Sequence, residues 1–266
     1  MPIHPTAIID PRAEIDGSAV IGPYVVIEGK VRIGQGTVVG PHAVILGRVE
    51  MGCRNRLHAG VVIGDVPQDL GYRGDETGVE IGDDNVFREH VQIHRGTQAG
   101  STTRIGNGNF LMTNVHVAHN CSIGNRAIIA SGVLLGGHVR VDDGAFLSGN
   151  CVVHQYVRVG RLALLRGLSR TSRDVPPFCI MDGTHTVRAI NRVGLRRAGL
   201  SSEKILALHR AFVLLFRRPG HLGQRLVALE AEATTDEVRE LVAFIRASKR
   251  GVCVGPRRAV GAEEAD

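Results

Sequence analysis

The chain of 266 residues is rich in glycine, with 34 such residues, but only 4% of it is aromatic and it contains no tryptophan. This composition argues against an aromatic-rich β-sandwich and against a nucleic-acid binder that stacks bases on aromatic rings. The formal net charge of +6 at pH 7 favours an anionic partner, and no segment approaches the roughly 20 apolar residues of a membrane span.

A six-residue repeat dominates the larger part of the chain. From Ile3 to Leu165 every sixth residue is large and apolar, except at Asp69, Asp75 and Ala99. This period fits neither a helix nor an alternating strand, and it is typical of the hexapeptide repeats of a parallel β-helix. Three hexads, or about 18 residues, complete one coil, and the apolar residue points into a prism too narrow for many large rings. The repeat therefore predicts a parallel β-helix over residues 1–190.

Two polar, glycine-rich segments interrupt the pattern and yet preserve its phase. They lie near residues 66–78 and 95–104. Such composition indicates loops that leave the stack of coils. Loops on a rigid scaffold often carry functional residues, so we expect part of the site there.

The chain changes character after Pro177, where the hexads stop and the apolar residues take helical spacing. Ser201 precedes one such segment as a candidate N-cap. Thr234 and Glu237 form a candidate capping box before another. The expected fold class is therefore mainly β, with a parallel β-helix followed by a small α-helical domain over residues 191–266.

Histidines and their neighbours gather on one edge of the predicted prism. An 18-residue coil places six of them on three successive coils: His116, His119, Gly137, His138, His154 and Gln155. A neutral imidazole can act as a general base near neutral pH, whereas three close histidines can instead bind zinc. The pattern by itself leaves both alternatives open.

Seven segments carry a resemblance to a known family: residues 65–72, 93–97, 114–121, 136–139, 152–155, 174–177 and 193–199. They resemble the acyl-carrier-protein-dependent UDP-N-acetylglucosamine O-acyltransferases, which catalyse the first step of lipid A synthesis. The resemblance covers nearly the whole chain. It implies a left-handed β-helix, a homotrimer and active sites in clefts between neighbouring subunits.

The resemblance also implies a reaction and two catalytic groups. The family moves a 3-hydroxyacyl chain from the phosphopantetheine of acyl carrier protein to the 3-hydroxyl of UDP-N-acetylglucosamine, without a metal or another cofactor. His119 matches the general base, and the backbone N–H of Gly137 matches the oxyanion donor.

The remaining site residues are assigned by the same match. Asp69 matches the loop carboxylate that binds the glucosamine hydroxyls. Four residues match sugar-nucleotide contacts: His116, His138, His154 and Gln155. Asn191 and Arg197 match the side that faces the nucleotide diphosphate. Three residues match the acyl-chain groove: Leu165, Arg166 and Gly167.

Three positions depart from the family pattern. Gly71 stands where many members have lysine, and Asn120 stands where well-studied members have a carboxylate next to the base. Arg166 replaces a small residue of the groove. The departures leave the acyl-chain length open and remove a charged partner for His119.

Other readings remain at this level: a trimeric β-helix zinc enzyme of the carbonic-anhydrase type, a scaffold without catalysis, or transfer to a 3-amino sugar nucleotide. The positive net charge suits an acidic carrier protein and the diphosphate of UDP as partners. We expect neither a nucleic-acid partner nor a membrane span. The five cysteines form no CxxC pair and the N-terminus lacks a signal-peptide pattern, which favours a cytoplasmic protein.

Overall fold

The computed structural model describes residues 3–232 and 235–255. Its strands follow one another in short hexad-length steps: β1 (Ile8–Ile9), β2 (Glu14–Ile15), β3 (Val20–Ile21), β4 (Val26–Ile33), β5 (Val38–Val39), β6 (Val44–Met51), β7 (Arg56–Leu57), β8 (Val62–Asp65), β9 (Gly78–Ile81), β10 (Val86–Phe87), β11 (Gln92–His94), β12 (Thr102–Ile105), β13 (Phe110–Leu111), β14 (His116–Val117), β15 (Ser122–Ile123), β16 (Ile128–Ile129), β17 (Leu134–Leu135), β18 (Arg140–Val141), β19 (Phe146–Leu147), β20 (Val152–Val153), β21 (Arg158–Val159), β22 (Leu164–Leu165), β23 (Arg170–Thr171), β24 (Cys179–Asp182) and β25 (Thr186–Ile190). Among these described strands every pairing up to β24 is parallel, and only β24 and β25 pair antiparallel. The predicted coils are thus present.

The strands form a prism with three faces. One sheet bends around a corner through the long strands β4 and β6 and so covers two faces, and a second sheet from β3 to β25 covers the third. The hexad residues point inward, where Ile27, Ile45 and Ile63 are completely buried. In the first coil that the structure describes, Ile3 is 40% exposed, because no other described coil packs against its outer side.

Strand register explains why the repeat keeps its phase. Leu134 pairs with His116, eighteen positions earlier, as an uninterrupted coil requires. Val62 pairs with Gln92, thirty positions later, and Gln92 pairs with His116, twenty-four positions later. The first loop therefore adds twelve residues to a coil and the second adds six. Both insertions are whole multiples of a hexad.

A polar column inside the prism was not predicted from the repeat. Asn55, Asn85 and Asn109 are fully buried at one corner. The Nδ2 of Asn85 donates to Oδ1 of Asn55 at 3.0 Å, and the Nδ2 of Asn109 donates to Oδ1 of Asn85 at 2.9 Å. The amides also reach backbone carbonyls at the turns. Buried amides in such a column are tolerated because each finds partners in its neighbours.

Four helices follow the strands: α1 (Arg192–Arg197), α2 (Ser202–Phe216), α3 (Leu222–Glu232) and α4 (Asp236–Arg246). Ser201 caps α2 as expected, since its side chain accepts from the N–H of Lys204. The cap of α4 is Thr235, which accepts from the N–H of Val238, so the prediction of Thr234 was wrong by one position. Thr234 itself lies outside the described residues.

The described residues that follow α4 return to the β-helix. Val252 bridges to Asp174 and Val254 bridges to Thr186. A salt bridge of 2.7 Å from Arg161 to Glu240 also joins the last coils to α4. Across the parts of the chain that the structure describes, no helix has the length and apolarity needed to cross a membrane.

Candidate active site

The predicted histidine edge forms an open cleft of about 690 Å³ on one side of the prism. It is lined by residues from three coils and from the first loop, including Gln68, His116, His119, Leu134, Gly137, Val152, His154 and Gln155. Parallel register brings these residues together, because β14, β17 and β20 lie side by side. The column arithmetic therefore holds for this part of the site.

His119 and Gly137 lie against each other at the centre of the cleft. The imidazole of His119 is largely buried, with 9% of the residue exposed. A Cβ atom at Gly137 would collide with Cε1 and Nε2 of that ring. Among the described residues no group accepts a hydrogen bond from the backbone N–H of Gly137. The site thus combines a buried imidazole with an unengaged N–H donor.

Asn120 holds the other side of the imidazole. Its Oδ1 lies 2.9 Å from Nδ1 of His119. The same Oδ1 accepts from the backbone N–H of Thr97 at 3.2 Å and from its hydroxyl at 3.0 Å. Thr97 belongs to the second loop, between β11 and β12, so this inserted loop contacts the site through an amide rather than through a charge.

The first loop brings Asp69 to the cleft. Oδ2 of Asp69 lies 3.6 Å from Nε2 of His119. Its Oδ1 accepts from the N–H of Gly71 at 2.8 Å. The backbone N–H of Gly71, where the resemblance implied a lysine, thus orients the carboxylate.

Two residues that sequence reasoning missed hold this loop in place. Nδ1 of His94 donates to the carbonyl of Val66 at 2.7 Å, and His94 is only 6% exposed. Arg95 donates to the hydroxyl of Tyr72 at 3.1 Å and lies over its ring, 5.7 Å from the centroid. Both belong to the segment 93–97, which was noted only as part of a resemblance. The end of β11 lies beside the start of the first loop, and no spacing in the sequence indicated this contact.

Two neighbouring histidines are neutral near pH 7. Burial lowers the pKa of His116 to about 4, with further contributions from His94 and His119. Burial also lowers the pKa of His138, as does His119, while Asp69 opposes the shift. The ring of His138 meets His119 edge-on with 5.2 Å between centroids. These rings therefore offer neutral donors and acceptors to a ligand.

The cleft mouth is formed by His154 and Gln155, which are exposed. Arg250, returning with the C-terminal segment, donates to the carbonyl of Ser172 at 3.1 Å and approaches Nδ1 of His154 at 3.4 Å. A positive charge thus stands at the mouth of the cleft, where sequence reasoning placed only polar groups.

Asn191 and Arg197 do not line this cleft. Asn191 is buried and caps α1, since its Oδ1 accepts from Gly194 at 3.0 Å and its Nδ2 donates to the carbonyl of Leu162 at 2.9 Å. Arg197 is exposed in the last turn of α1. Within one chain the structure therefore does not bring these two residues to the histidines.

The assignment of Leu165 to the acyl-chain groove was wrong. Its side chain is completely buried among the inward-pointing residues of the prism, so it cannot line an outer groove. Its neighbours do face outward: Arg166 is exposed and lies 3.3 Å from Asp182, and a Cβ at Gly167 would meet only the carbonyl of Gly149, at 3.6 Å. An outer surface at this point is shaped by Arg166 and Gly167.

The geometry gives no support to the zinc alternative. Over residues 3–232 and 235–255, no three His, Cys, Asp or Glu side chains are arranged to hold a metal ion. Nδ1 of His119 is engaged by Asn120 and Nδ1 of His94 by Val66. The histidines are paired with protein groups instead of converging on one point.

Two family models match the chain. One, described as Udp N-acetylglucosamine O-acyltransferase, domain 2, matches residues 174–253. The other, described as bacterial transferase hexapeptide (six repeats), matches residues 102–137. The acyl-[acyl-carrier-protein]–UDP-N-acetylglucosamine O-acyltransferase of Janthinobacterium sp. (strain Marseille) is 46% identical over 257 residues, which cover 94% of this chain and 98% of the relative.

Solved structures agree with the fold. The UDP-N-acetylglucosamine acyltransferase of Bacteroides fragilis superposes with a TM-score of 0.91 at 39% identity, covering 94% of this chain and 99% of the other. The enzyme of Francisella novicida gives a TM-score of 0.91 at 34% identity, covering 99% and 100%. The prediction of a left-handed parallel β-helix followed by helices is thereby confirmed. The chain is an acyltransferase and belongs to the acyl-[acyl-carrier-protein]–UDP-N-acetylglucosamine O-acyltransferase family.

Proposed function

We propose that this protein transfers a 3-hydroxyacyl chain from acyl carrier protein to the 3-hydroxyl of UDP-N-acetylglucosamine, the first step of lipid A synthesis. The observation that carries the mechanism is the contact between the ring of His119 and Gly137 at the centre of the cleft. Family membership supplies the substrates, and the site supplies a base and a donor where such a reaction needs them.

His119 is the general base in this proposal. Its Nε2 takes the proton of the sugar hydroxyl while the hydroxyl oxygen attacks the thioester carbonyl carbon. The N–H of Gly137 donates to the oxyanion of the tetrahedral intermediate. When the intermediate collapses, the carbon–sulfur bond breaks and the phosphopantetheine thiolate takes the proton from Nε2. The base is thereby restored.

Asp69 orients the acceptor sugar. Its free Oδ2 lies on the Nε2 side of His119, where a carboxylate can accept hydrogen bonds from glucosamine hydroxyls. His116, His154 and Gln155 line the cleft, and the ring of His138 lies against the ring of His119. We assign the sugar-nucleotide contacts to these four side chains. A hydroxyl acceptor rather than an amine is the substrate that we propose.

The acyl chain leaves the cleft over an apolar wall. Leu134 and Val152 are 46% and 45% exposed and lie on adjacent strands next to His116. The same column continues to Arg170 on β23, and Arg166 lies in the turn that precedes β23. We infer that these guanidinium groups limit the length of chain that the wall accepts.

A homotrimer with clefts between subunits is the proposed assembly. One outer face is charged and paired within the chain, as in the salt bridges Arg32–Glu14 and Arg104–Glu80 at 3.0 and 2.9 Å. The opposite sheet exposes Val20 at 44%, and Val38 and Ile128 lie in the same exposed column. Exposed apolar surface of this kind favours burial against another copy.

In such a trimer Arg197 would reach a neighbour's cleft. Its guanidinium suits a nucleotide diphosphate, and Asn191 presents it by capping the helix on which it lies. Exposed arginines near the same end, including Arg217 and Arg250, give an acidic carrier protein a complementary surface. We propose acyl carrier protein and UDP-N-acetylglucosamine as the two partners, and the cytoplasm as the location of the protein.

The test is a product assay with purified protein. We expect UDP-N-acetylglucosamine and carrier-bound 3-hydroxyacyl chains of several lengths to give an alkali-labile ester, detected by mass spectrometry. A product only with the 3-amino sugar nucleotide would replace the proposed acceptor. No product with any chain would refute the proposal.

A further inference from the structure

The orientation of the Asn120 amide follows from its contact with Thr97. A backbone N–H can only donate, and the N–H of Thr97 points at the Asn120 side-chain atom that lies 3.2 Å away. That atom is therefore the amide oxygen and not the nitrogen. The hydroxyl of Thr97 donates to the same oxygen at 3.0 Å. Two donors from one loop residue thus fix which end of the amide faces the site.

The proton position on His119 follows in turn. Nδ1 of His119 lies 2.9 Å from the same oxygen. An amide oxygen carries no proton and can only accept a hydrogen bond, so Nδ1 must carry the proton. In the neutral ring Nε2 then keeps its lone pair. The free nitrogen is the one that faces Asp69 and Gly137.

We propose that Thr97 and Asn120 are positioning residues that lock His119 in the tautomer with a free Nε2, using a neutral amide. This inference rests on the proposed role of His119 as the base. Asn120 is itself anchored, because its backbone N–H donates to the hydroxyl of Thr103 at 2.8 Å. Without the clamp of Thr97 the amide would turn, its nitrogen would donate to Nδ1, and the proton would move to Nε2. That ring could no longer act as a base.

A neutral partner has a second consequence. The imidazolium formed during the reaction is not neutralised by Asn120, and the charged and titratable groups that face His119 are Asp69, His116 and His138. A carboxylate at position 120 would favour the protonated ring through its charge. Asn120→Asp should therefore raise the pH at which activity is lost on the acid side.

Asn120→Leu, Asn120→Asp and Thr97→Val separate positioning from structure. We expect Asn120→Leu to lower kcat about 100-fold with little change in KM, a loss in the range of general-base effects. Asn120→Asp should retain kcat within a few-fold and move the acid limb of the kcat/KM profile up by about one pH unit. Thr97→Val should lower kcat about 10-fold in the wild-type background, since the backbone N–H remains.

The variant that combines Thr97→Val with Asn120→Asp gives the most decisive test. A carboxylate presents oxygen whichever way it turns, so Thr97→Val should have almost no effect on kcat in the Asn120→Asp background. An equal loss in both backgrounds would assign Thr97 a merely structural role and overturn the proposal. Thr113→Val is the matched control, since its hydroxyl donates to the carbonyl of Glu89 and its side chain does not line the cleft, and it should keep wild-type kcat.

A spectroscopic readout keeps the inference independent of turnover. Nitrogen NMR of the protein with labelled histidine, assigned with His119→Ala, should show Nδ1–H for His119 in the wild type and a tautomer mixture in Thr97→Val. A wild-type ring protonated at Nε2 would overturn the proposal. If the wild type lacks transferase activity but shows the Nδ1–H ring, the proposed function fails while the positioning pair stands.

Discussion

Nε2 of His119 and Oδ2 of Asp69 lie 3.6 Å apart, and they come from elements of different kinds. His119 follows β14 at a corner of the stack, whereas Asp69 belongs to the loop between β8 and β9. The rigid coil supplies the base and the inserted loop supplies the carboxylate. The space between them is where an acceptor hydroxyl would bind, since it can donate to either atom.

Removal of the base tests the assignment of His119. We expect His119→Ala to lower kcat by 100-fold or more, in the range of about 10²–10⁴ for general-base catalysis. The side chain is a small part of the prism, so sedimentation and circular dichroism should match the wild type. Full activity in this variant would remove His119 from the mechanism.

Gly137→Ala tests the contact at the centre of the site. The new Cβ would collide with the ring of His119, so the base and the oxyanion donor would both move. We expect kcat to fall about 100-fold, comparable to the loss of an oxyanion donor. Gly17→Ala is the control, because nothing lies within 4 Å of its Cβ. Equal kinetics for the two variants would contradict the assigned geometry.

His116 makes stability depend on pH. Burial lowers its pKa to about 4, so between that pH and its ordinary value near 6.5 the unfolded chain binds more protons. Stability due to this group is therefore present above about pH 6.5 and is lost as pH falls toward 4. Because the ring is partly open to water, we expect a loss on the order of 1–2 kcal/mol.

The measurement for His116 is a difference between variants. The stability of the wild type relative to His116→Gln, measured by urea unfolding, should fall between about pH 6.5 and pH 4.5, because only the wild type loses this contribution in that range. The carboxylates titrate alike in both proteins and cancel. A pH-independent difference would mean that His116 is not buried as a neutral ring.

His94 tests the anchor of the first loop. His94→Leu removes the hydrogen bond to Val66 and should let the Asp69 loop move. We expect KM for UDP-N-acetylglucosamine to rise about 10-fold, the equivalent of one hydrogen bond of about 1.4 kcal/mol. His94→Gln keeps a hydrogen-bond donor, so its KM should lie between those of the wild type and His94→Leu. An unchanged KM in His94→Leu would show that the loop is held without His94.

Arg166 tests the acyl-chain preference. Arg166→Gly removes an exposed guanidinium near Asp182 and opens the surface beside Gly167. We expect competition between hydroxyacyl chains to shift toward longer ones by about 10-fold per pair of carbons, since each buried methylene contributes about 0.8 kcal/mol. Asp182→Asn leaves Arg166 in place and should keep the wild-type preference. An unaltered product spectrum in Arg166→Gly would place the acyl chain elsewhere.

Much of the fold was predictable because one physical rule repeats. A narrow prism requires a large apolar residue pointing inward at each sixth position, and that rule also places Leu165 inside. Its assignment to an outer groove came from the resemblance alone and conflicted with the repeat. The phase of the hexads was the better guide there.

The site was predictable only where coils follow one another without insertion. The steps from His119 to Gly137 and Gln155 are plain 18-residue intervals. His94 was missed because the second loop adds six residues, so its strand pairs across a step of twenty-four. The contact of Thr97 with Asn120 was not predicted for a similar reason. The path of a loop across a corner depends on side-chain contacts that residue spacing does not encode.

The insertion lengths bear on how such a site can arise. Asp69 stands at a position that falls on the hexad count, where a coil inside the stack would demand an aliphatic. Duplication of whole hexads lengthens the chain without disturbing the register of the coils that follow. Once duplicated hexads leave the stack, their inward positions are released from the packing constraint and can mutate to polar residues. A carboxylate beside the base thus becomes accessible by mutation without any cost to the prism.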